Sequence, residues 1–144
     1  MAEQQNYSNH HRYVPLYHYF LSLLIVATLI GATINLFKSV DGSGLYSASL
    51  ILAIALADIF IFLFLRSFAL KAQDRAIRVE ENLRNYVRNG SLLDSRLEMR
   101  QIIGLRFASD DEYDDLAARA VNDGLSEGDI KKAITNWRAD HHRA

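Results

Sequence analysis

The chain has no cysteine and a single proline among its 144 residues. Without cysteine there are no disulfides and no thiol chemistry, although the compartment stays open. Also missing are a glycine-rich phosphate loop, a nucleophile elbow and a convincing acid and base pair, so no enzymatic activity is expected. Charge, too, is absent over long stretches. No Asp, Glu, Lys or Arg lies between Tyr19 and Phe37, and between Leu45 and Leu65 the only one is Asp58.

Length, a hydrophobic content of 50% and a formal charge of −1 would by themselves suit one soluble domain. The charge-free stretches overturn that reading, because each matches the roughly 20 residues a helix needs to cross about 30 Å of hydrocarbon. The remaining residues are too polar to wrap two helices that are apolar all round. The sequence therefore predicts an all-α protein with a transmembrane hairpin: helices over 17–37 and 45–65, joined by an external loop over 38–44 in which Gly42 and Gly44 suit a tight reversal. The first apolar run exceeds a secretory signal core and no small-residue cleavage site follows, so the segment 1–16 is expected to stay on the mature protein. Arg12 precedes the first span, and Arg66, Lys71, Arg75 and Arg78 follow the second, which favours both termini in the cytoplasm. Tyr13, Tyr17, Tyr19 and Phe20 fall where an interfacial aromatic belt belongs.

Asp58 is the anomaly. The thirteen Leu, Ile and Phe residues of 45–65 each favour insertion by about 0.3 to 0.6 kcal/mol, against a cost of roughly 2.5 to 3.5 kcal/mol for a central Asp. The span tolerates Asp58 without explaining it. Arg66 is about 12 Å further along the helix and a short side chain cannot reach the interface, so Asp58 needs a polar partner or a proton. Ser22 and Thr28 on the first helix are the candidates. Asp58 then reads either as a hydrogen-bonded pairing contact or as a proton or ion site. Small residues at spacings of four, Ala27 and Gly31 on the first helix and Ser49, Ala53 and Ala57 on the second, are expected to form close-packed faces within one chain or between two.

Beyond Arg66 no helix breaker occurs before Asn89-Gly90, so the second helix is predicted to run on through a cytoplasmic extension, 66–90, for about 65 Å in all. Ala69, Ala72, Ala76, Val79, Leu83 and Tyr86 alternate spacings of three and four, a seam suited to self-association or to docking of the C-terminal helices. Residues 66–88 carry a net charge of +3, which suits anionic headgroups. His10 and Arg12, before the first span, and Asp74, Arg75, Arg78 and Glu81, after the second, are expected to form a juxtamembrane polar cluster.

The last segment, 91–144, reads as a three-helix module. Ser95 with Glu98, Ser109 with Glu112, and Ser126 with Asp129 mark helix starts, Leu125 and Ile130 form a hydrophobic staple, and Gly124 closes the second helix in a left-handed cap. Apolar stripes follow: Met99, Ile102, Ile103 and Phe107; Tyr113, Leu116, Ala117, Ala120 and Val121; Ile130, Ala133, Ile134 and Trp137. A DNA-reading helix-turn-helix is disfavoured, since these residues hold eleven acids against eight bases and include "SDDEYDD". No nucleic-acid partner is expected. His10, His11, His18, His141 and His142 show no metal-ligand spacing, so neither metal nor other cofactor is expected; His141, His142 and Arg143 read as cations at a helix end.

The strings "NYSNHHRYVPLYH" (6–18), "ALKAQDRAIRVEENLR" (69–84), "LRFASDDE" (105–112) and "IKKAITNWRADHHR" (130–143) resemble those of an uncharacterised bacterial family of small two-span membrane proteins. That family is known as a domain of unknown function and is sometimes loosely labelled as transporter permeases. The resemblance covers nearly the whole chain and implies a bacterial inner-membrane location and the two-span architecture. It supplies no activity and no catalytic residues. The expected function is that of a membrane-anchored interaction or assembly protein, with membrane lipid and either a second copy or a larger membrane complex as partners. The alternative is a small transport or channel-forming subunit that uses Asp58.

Overall fold

The computed structural model describes residues 5–10 and 12–140. His11, His141, His142 and Arg143 lie outside the described residues. The fold is all-helical: a π-helical turn, Leu16–Leu21, leads into α1, Ser22–Ser39, followed by α2, Leu45–Asn89, α3, Met99–Leu105, α4, Asp110–Asn122, and α5, Glu127–Ala133. The chain divides into two compact units, residues 13–69 and residues 1–12 with 70–144, and α2 contributes to both.

The first unit is a helical hairpin. Its two helices, Leu16–Ser39 and the apolar part of α2, are long and apolar enough to cross a membrane, and only 6% and 11% of their most apolar windows are buried. That sets them apart from the core helices of a soluble domain, whose apolar faces are covered. The reversal between them closes with a hydrogen bond from Gly42 N–H to the Ser39 carbonyl, 3.1 Å. Ala48 and Ala55 on α2 and Ala32 on α1 are buried, and the less exposed α2 positions continue as Leu52, Ile59, Phe62 and Arg66. Spacings of three and four keep these residues on one face toward α1.

The second unit is built around α3, α4 and α5. Leu97, Ile102, Leu105, Phe107, Tyr113, Leu116 and Ile130 form its core, and Ile77 of α2 joins them. Each such side chain contributes roughly 1.5 to 3 kcal/mol by leaving water. Gly104 allows α3 to lie against α5: a Cβ there would meet Ile130 Cγ2 at 3.1 Å and the Glu127 carbonyl at 3.2 Å. Gly124 (φ +62°) closes α4 in the left-handed conformation, Gly90 (φ +71°) follows the end of α2, and Ser126 Oγ caps α5 by accepting from Asp129 N–H.

Two boundaries differ from those the sequence suggested. The first module helix starts at Met99, with Glu98 and Gln101 in the capping box rather than Ser95 and Glu98. Asp94 accounts for the shift, because it accepts from Arg96 N–H at 2.9 Å and binds the Arg96 guanidinium, holding the preceding residues in a turn. The last helix stops at Ala133 instead of reaching Trp137. Glu112 draws the chain out of the helix by accepting from Thr135 N–H (3.0 Å), Thr135 Oγ1 (2.6 Å) and Asn136 N–H (3.0 Å). The backbone then pairs with the α3–α4 turn, Arg138 N–H donating to the Phe107 carbonyl at 2.7 Å.

Residues 5–10 complete this unit. Gln5 and Asp140 exchange two hydrogen bonds, Asp140 N–H to Gln5 Oε1 at 2.8 Å and Gln5 Nε2 to the Asp140 carbonyl at 3.5 Å. His10 is buried against the rings of Phe107 and Trp137, at centroid distances of 6.0 and 5.7 Å.

Candidate functional site: the Asp58 cleft

Asp58 opens into a cleft of about 300 Å³ within the hairpin unit. Leu24, Ile25 and Thr28 wall it on one side, Ala55, Ile61 and Phe62 on the other, so the lining is apolar apart from three side chains. These are Asp58, Thr28 and Tyr17. Tyr17 is committed, its hydroxyl donating to the Phe62 carbonyl at 2.9 Å while its ring stacks on Phe62 at 4.5 Å and the Arg66 guanidinium lies 5.9 Å from its centroid. The π-helical turn places Tyr17, a backbone form often met at functional positions.

Asp58 itself is exposed, and among the described residues neither its carboxyl nor the Thr28 hydroxyl has a hydrogen-bond partner. Thr28 shares the cleft with Asp58, whereas Ser22 turns away: its Oγ donates to the Tyr17 carbonyl at 3.4 Å. A carboxyl on an apolar helix surface is expensive in hydrocarbon and marks a place to be covered, protonated or paired from outside.

The small residues have a related distribution. Ala27 and Gly31 on α1 and Ser49, Ala53 and Ala57 on α2 are all exposed, and a Cβ at Gly31 would meet no atom within 4 Å. The hairpin closes through Ala32, Ala48 and Ala55 instead.

The residues expected to form a polar cluster beside the membrane fall in the second unit. His10 Nδ1 lies 2.7 Å from the Tyr7 carbonyl and its Nε2 is 3.4 Å from Lys131 Nζ, so the neutral tautomer with the proton on Nδ1 satisfies both contacts. Arg12 and Arg75 are exposed; Arg78 reaches the Leu97 carbonyl at 3.4 Å. Glu81 is buried and takes Arg84 at 3.2 Å and Arg138 at 3.7 Å. Asp74 acts on Arg106, a buried guanidinium that desolvation pushes below its ordinary pKa against the opposing pull of Asp140, Glu127, Glu81 and Asp74. Arg106 Nη1 stands 3.3 Å from Asp140 Oδ2 without hydrogen-bond alignment.

Sequence reasoning missed the network that holds α2 to α4. Arg84 and Arg88 both grip Asp110, at 2.6 and 3.1 Å, Arg88 also reaches Asp114 at 3.0 Å, and the Arg84 guanidinium sits 4.2 Å from the centroid of Tyr113. Desolvation opposes the charge on Arg84, but Asp110 and Glu81 outweigh it and raise the guanidinium pKa. Among the described residues no group of three or more metal-ligating side chains comes together.

The whole chain, residues 1–144, matches the model of a family of unknown function, DUF6526, and the protein belongs to that family. No curated protein and no solved structure matches it.

Proposed function

We propose that this chain is a membrane-anchored assembly protein: the hairpin holds it in a bacterial inner membrane with both termini in the cytoplasm, and the helical module engages partners there. The observation that carries the reading is Asp58, an exposed carboxyl without a hydrogen-bond or ion-pair partner among the described residues, set in an apolar cleft. Hydrocarbon leaves such a group a strong preference for a second protein surface, and the exposed small residues supply a face on which one can pack closely. The basic residues after the second span support the orientation. No catalytic step and no nucleic-acid partner belong to this reading, in keeping with the excess of acids in residues 91–144.

Transport is the second reading, favoured by the volume of the cleft and by Thr28 beside Asp58. Comparing Asp58→Leu and Asp58→Asn with the native chain separates the two. In the assembly reading, Asp58→Leu reduces the size of the complex extracted in mild detergent, and vesicles holding the native chain keep an imposed proton gradient. Leakage through the native chain that Asp58→Asn abolishes would establish transport and overturn assembly as the primary role.

A further inference from the structure

The stretch of α2 in the second unit has two faces. Ile77, Glu81, Arg84, Asn85 and Arg88 turn toward the module and are buried or half-buried. On the opposite side Ala72, Ala76, Val79, Leu83 and Tyr86 are exposed, the last three at 68%, 60% and 57%. The module thus docks on the charged face and leaves the apolar seam uncovered.

We infer that this seam is the contact with a second copy of the same chain, as a parallel two-stranded pairing of α2 locked by Arg75 of each copy against Glu80 of the other. The inference rests on the membrane-anchored assembly reading and names its partner. Alternate spacings of three and four put Ala76 and Leu83 at one core position of a heptad and Ala72, Val79 and Tyr86 at the other. In that register Arg75 and Glu80 flank the seam on opposite sides, five residues apart, the relation by which flanking charges meet across a parallel pair. Their signs are opposite, so the two symmetric contacts are both attractive. In an antiparallel pair each flank would instead meet its own kind. Both side chains are exposed, and neither has an ion pair within the described residues.

Membrane insertion supplies the polarity, since two copies with the same topology carry this stretch away from the bilayer in the same chain direction. It also raises the effective concentration, so that a seam of this length suffices where it would be weak between free chains.

The absence of cysteine makes disulfide scanning clean. In the full chain in membrane vesicles, Ala76→Cys, Val79→Cys and Leu83→Cys are expected to form disulfide-linked dimers on mild oxidation about tenfold more than Lys71→Cys and Arg78→Cys, exposed positions off the seam. On the Ala76→Cys background, Arg75→Glu and Glu80→Arg should each lower dimer yield by about tenfold, and the two together should restore it. Equal linkage on and off the seam, no linkage at all, or failure of the double exchange to restore overturns the inference. A photo-reactive label at Val79→Cys then tells the two levels apart. An adduct with a different protein removes the second copy but keeps the assembly function, whereas no adduct with any protein removes both.

Discussion

Arg84 lies over Tyr113, its guanidinium 4.2 Å from the ring centroid, while the buried Glu81 carboxylate binds the same guanidinium at 3.2 Å. One cation therefore serves an aromatic face and two carboxylates at once, and it joins α2 to α4. Removing it by Arg84→Met would strand Glu81 without its nearest counter-charge, at an expected cost of about 3 kcal/mol. Urea unfolding of the full chain in detergent, followed by the emission of Trp137, measures this directly, because Trp137 is the only tryptophan and belongs to the module. An unchanged midpoint would show that Glu81 is held by other means.

Tyr113 itself supports the opposite expectation. Burial and the neighbouring Glu81 carboxylate push its phenol well above the ordinary value, and its hydroxyl has no well-formed hydrogen bond. Tyr113→Phe keeps the ring beneath Arg84 and removes a polar atom with little to lose, so its effect should stay within about 1 kcal/mol of zero. A loss of several kcal/mol in the same unfolding experiment would mean that the hydroxyl is bound after all.

In the hairpin, Tyr17→Phe is expected to destabilise. It deletes the 2.9 Å bond to the Phe62 carbonyl and leaves the stacking of the two rings intact. Interhelical bonds of this kind in membranes contribute about 0.6 kcal/mol, and up to about 1.7. Steric trapping or thermal scans in lipid bicelles would register the change, and a neutral outcome would assign the contact between α1 and α2 to packing alone.

Gly104→Ala tests the α3–α5 contact. The new methyl would press on Ile130 and on the Glu127 backbone carbonyl, which has no rotamer to escape by. The expected loss is about 1 to 3 kcal/mol, with the emission of Trp137 shifted toward red.

Acid should loosen the module. Asp110 is held below its ordinary 3.8 by Arg84; for Glu112 and Glu127 burial works the other way but is outweighed, by Thr135 and Asn136 for the former and by Lys131 and Arg100 for the latter, so both lie below 4.5. Groups depressed in the folded state contribute stability that is full above their unfolded values and fades as pH falls through the folded ones. The unfolding midpoint should therefore be flat above about pH 5 and decline below it. A midpoint that rose on acidification in that range would contradict these assignments.

The two long apolar helices, the turn at Gly42–Gly44, the unbroken α2, the caps at Ser126 and Gly124 and most of the module core were legible because each depends on local composition or spacing. What escaped was set by partners far along the chain. The seam of Ala72, Val79 and Leu83 suited either self-association or docking of the C-terminal helices, because periodicity counts apolar side chains; the module took the other face, where Glu81, Arg84 and Arg88 make charge-assisted bonds beside Ile77. Glu112 was read as part of a capping box, and its capture of Thr135 and Asn136 was hidden by sequence separations of 23 and 24. In the hairpin, Asp58 and Thr28 were recognisable as polar exceptions, whereas Tyr17 needed the π-helical turn to carry it to Phe62.

The clasp between Gln5 and Asp140 spans 135 positions of sequence, and the hairpin lies in the chain between its two halves. During synthesis the strand of peptide that leaves the ribosome early must therefore wait for the one that leaves late, and both apolar helices are made in the interval. The clasp can therefore close only after both apolar helices have been made, and until Trp137 and Asp140 have emerged the segment that carries His10 lacks the contacts that seat it.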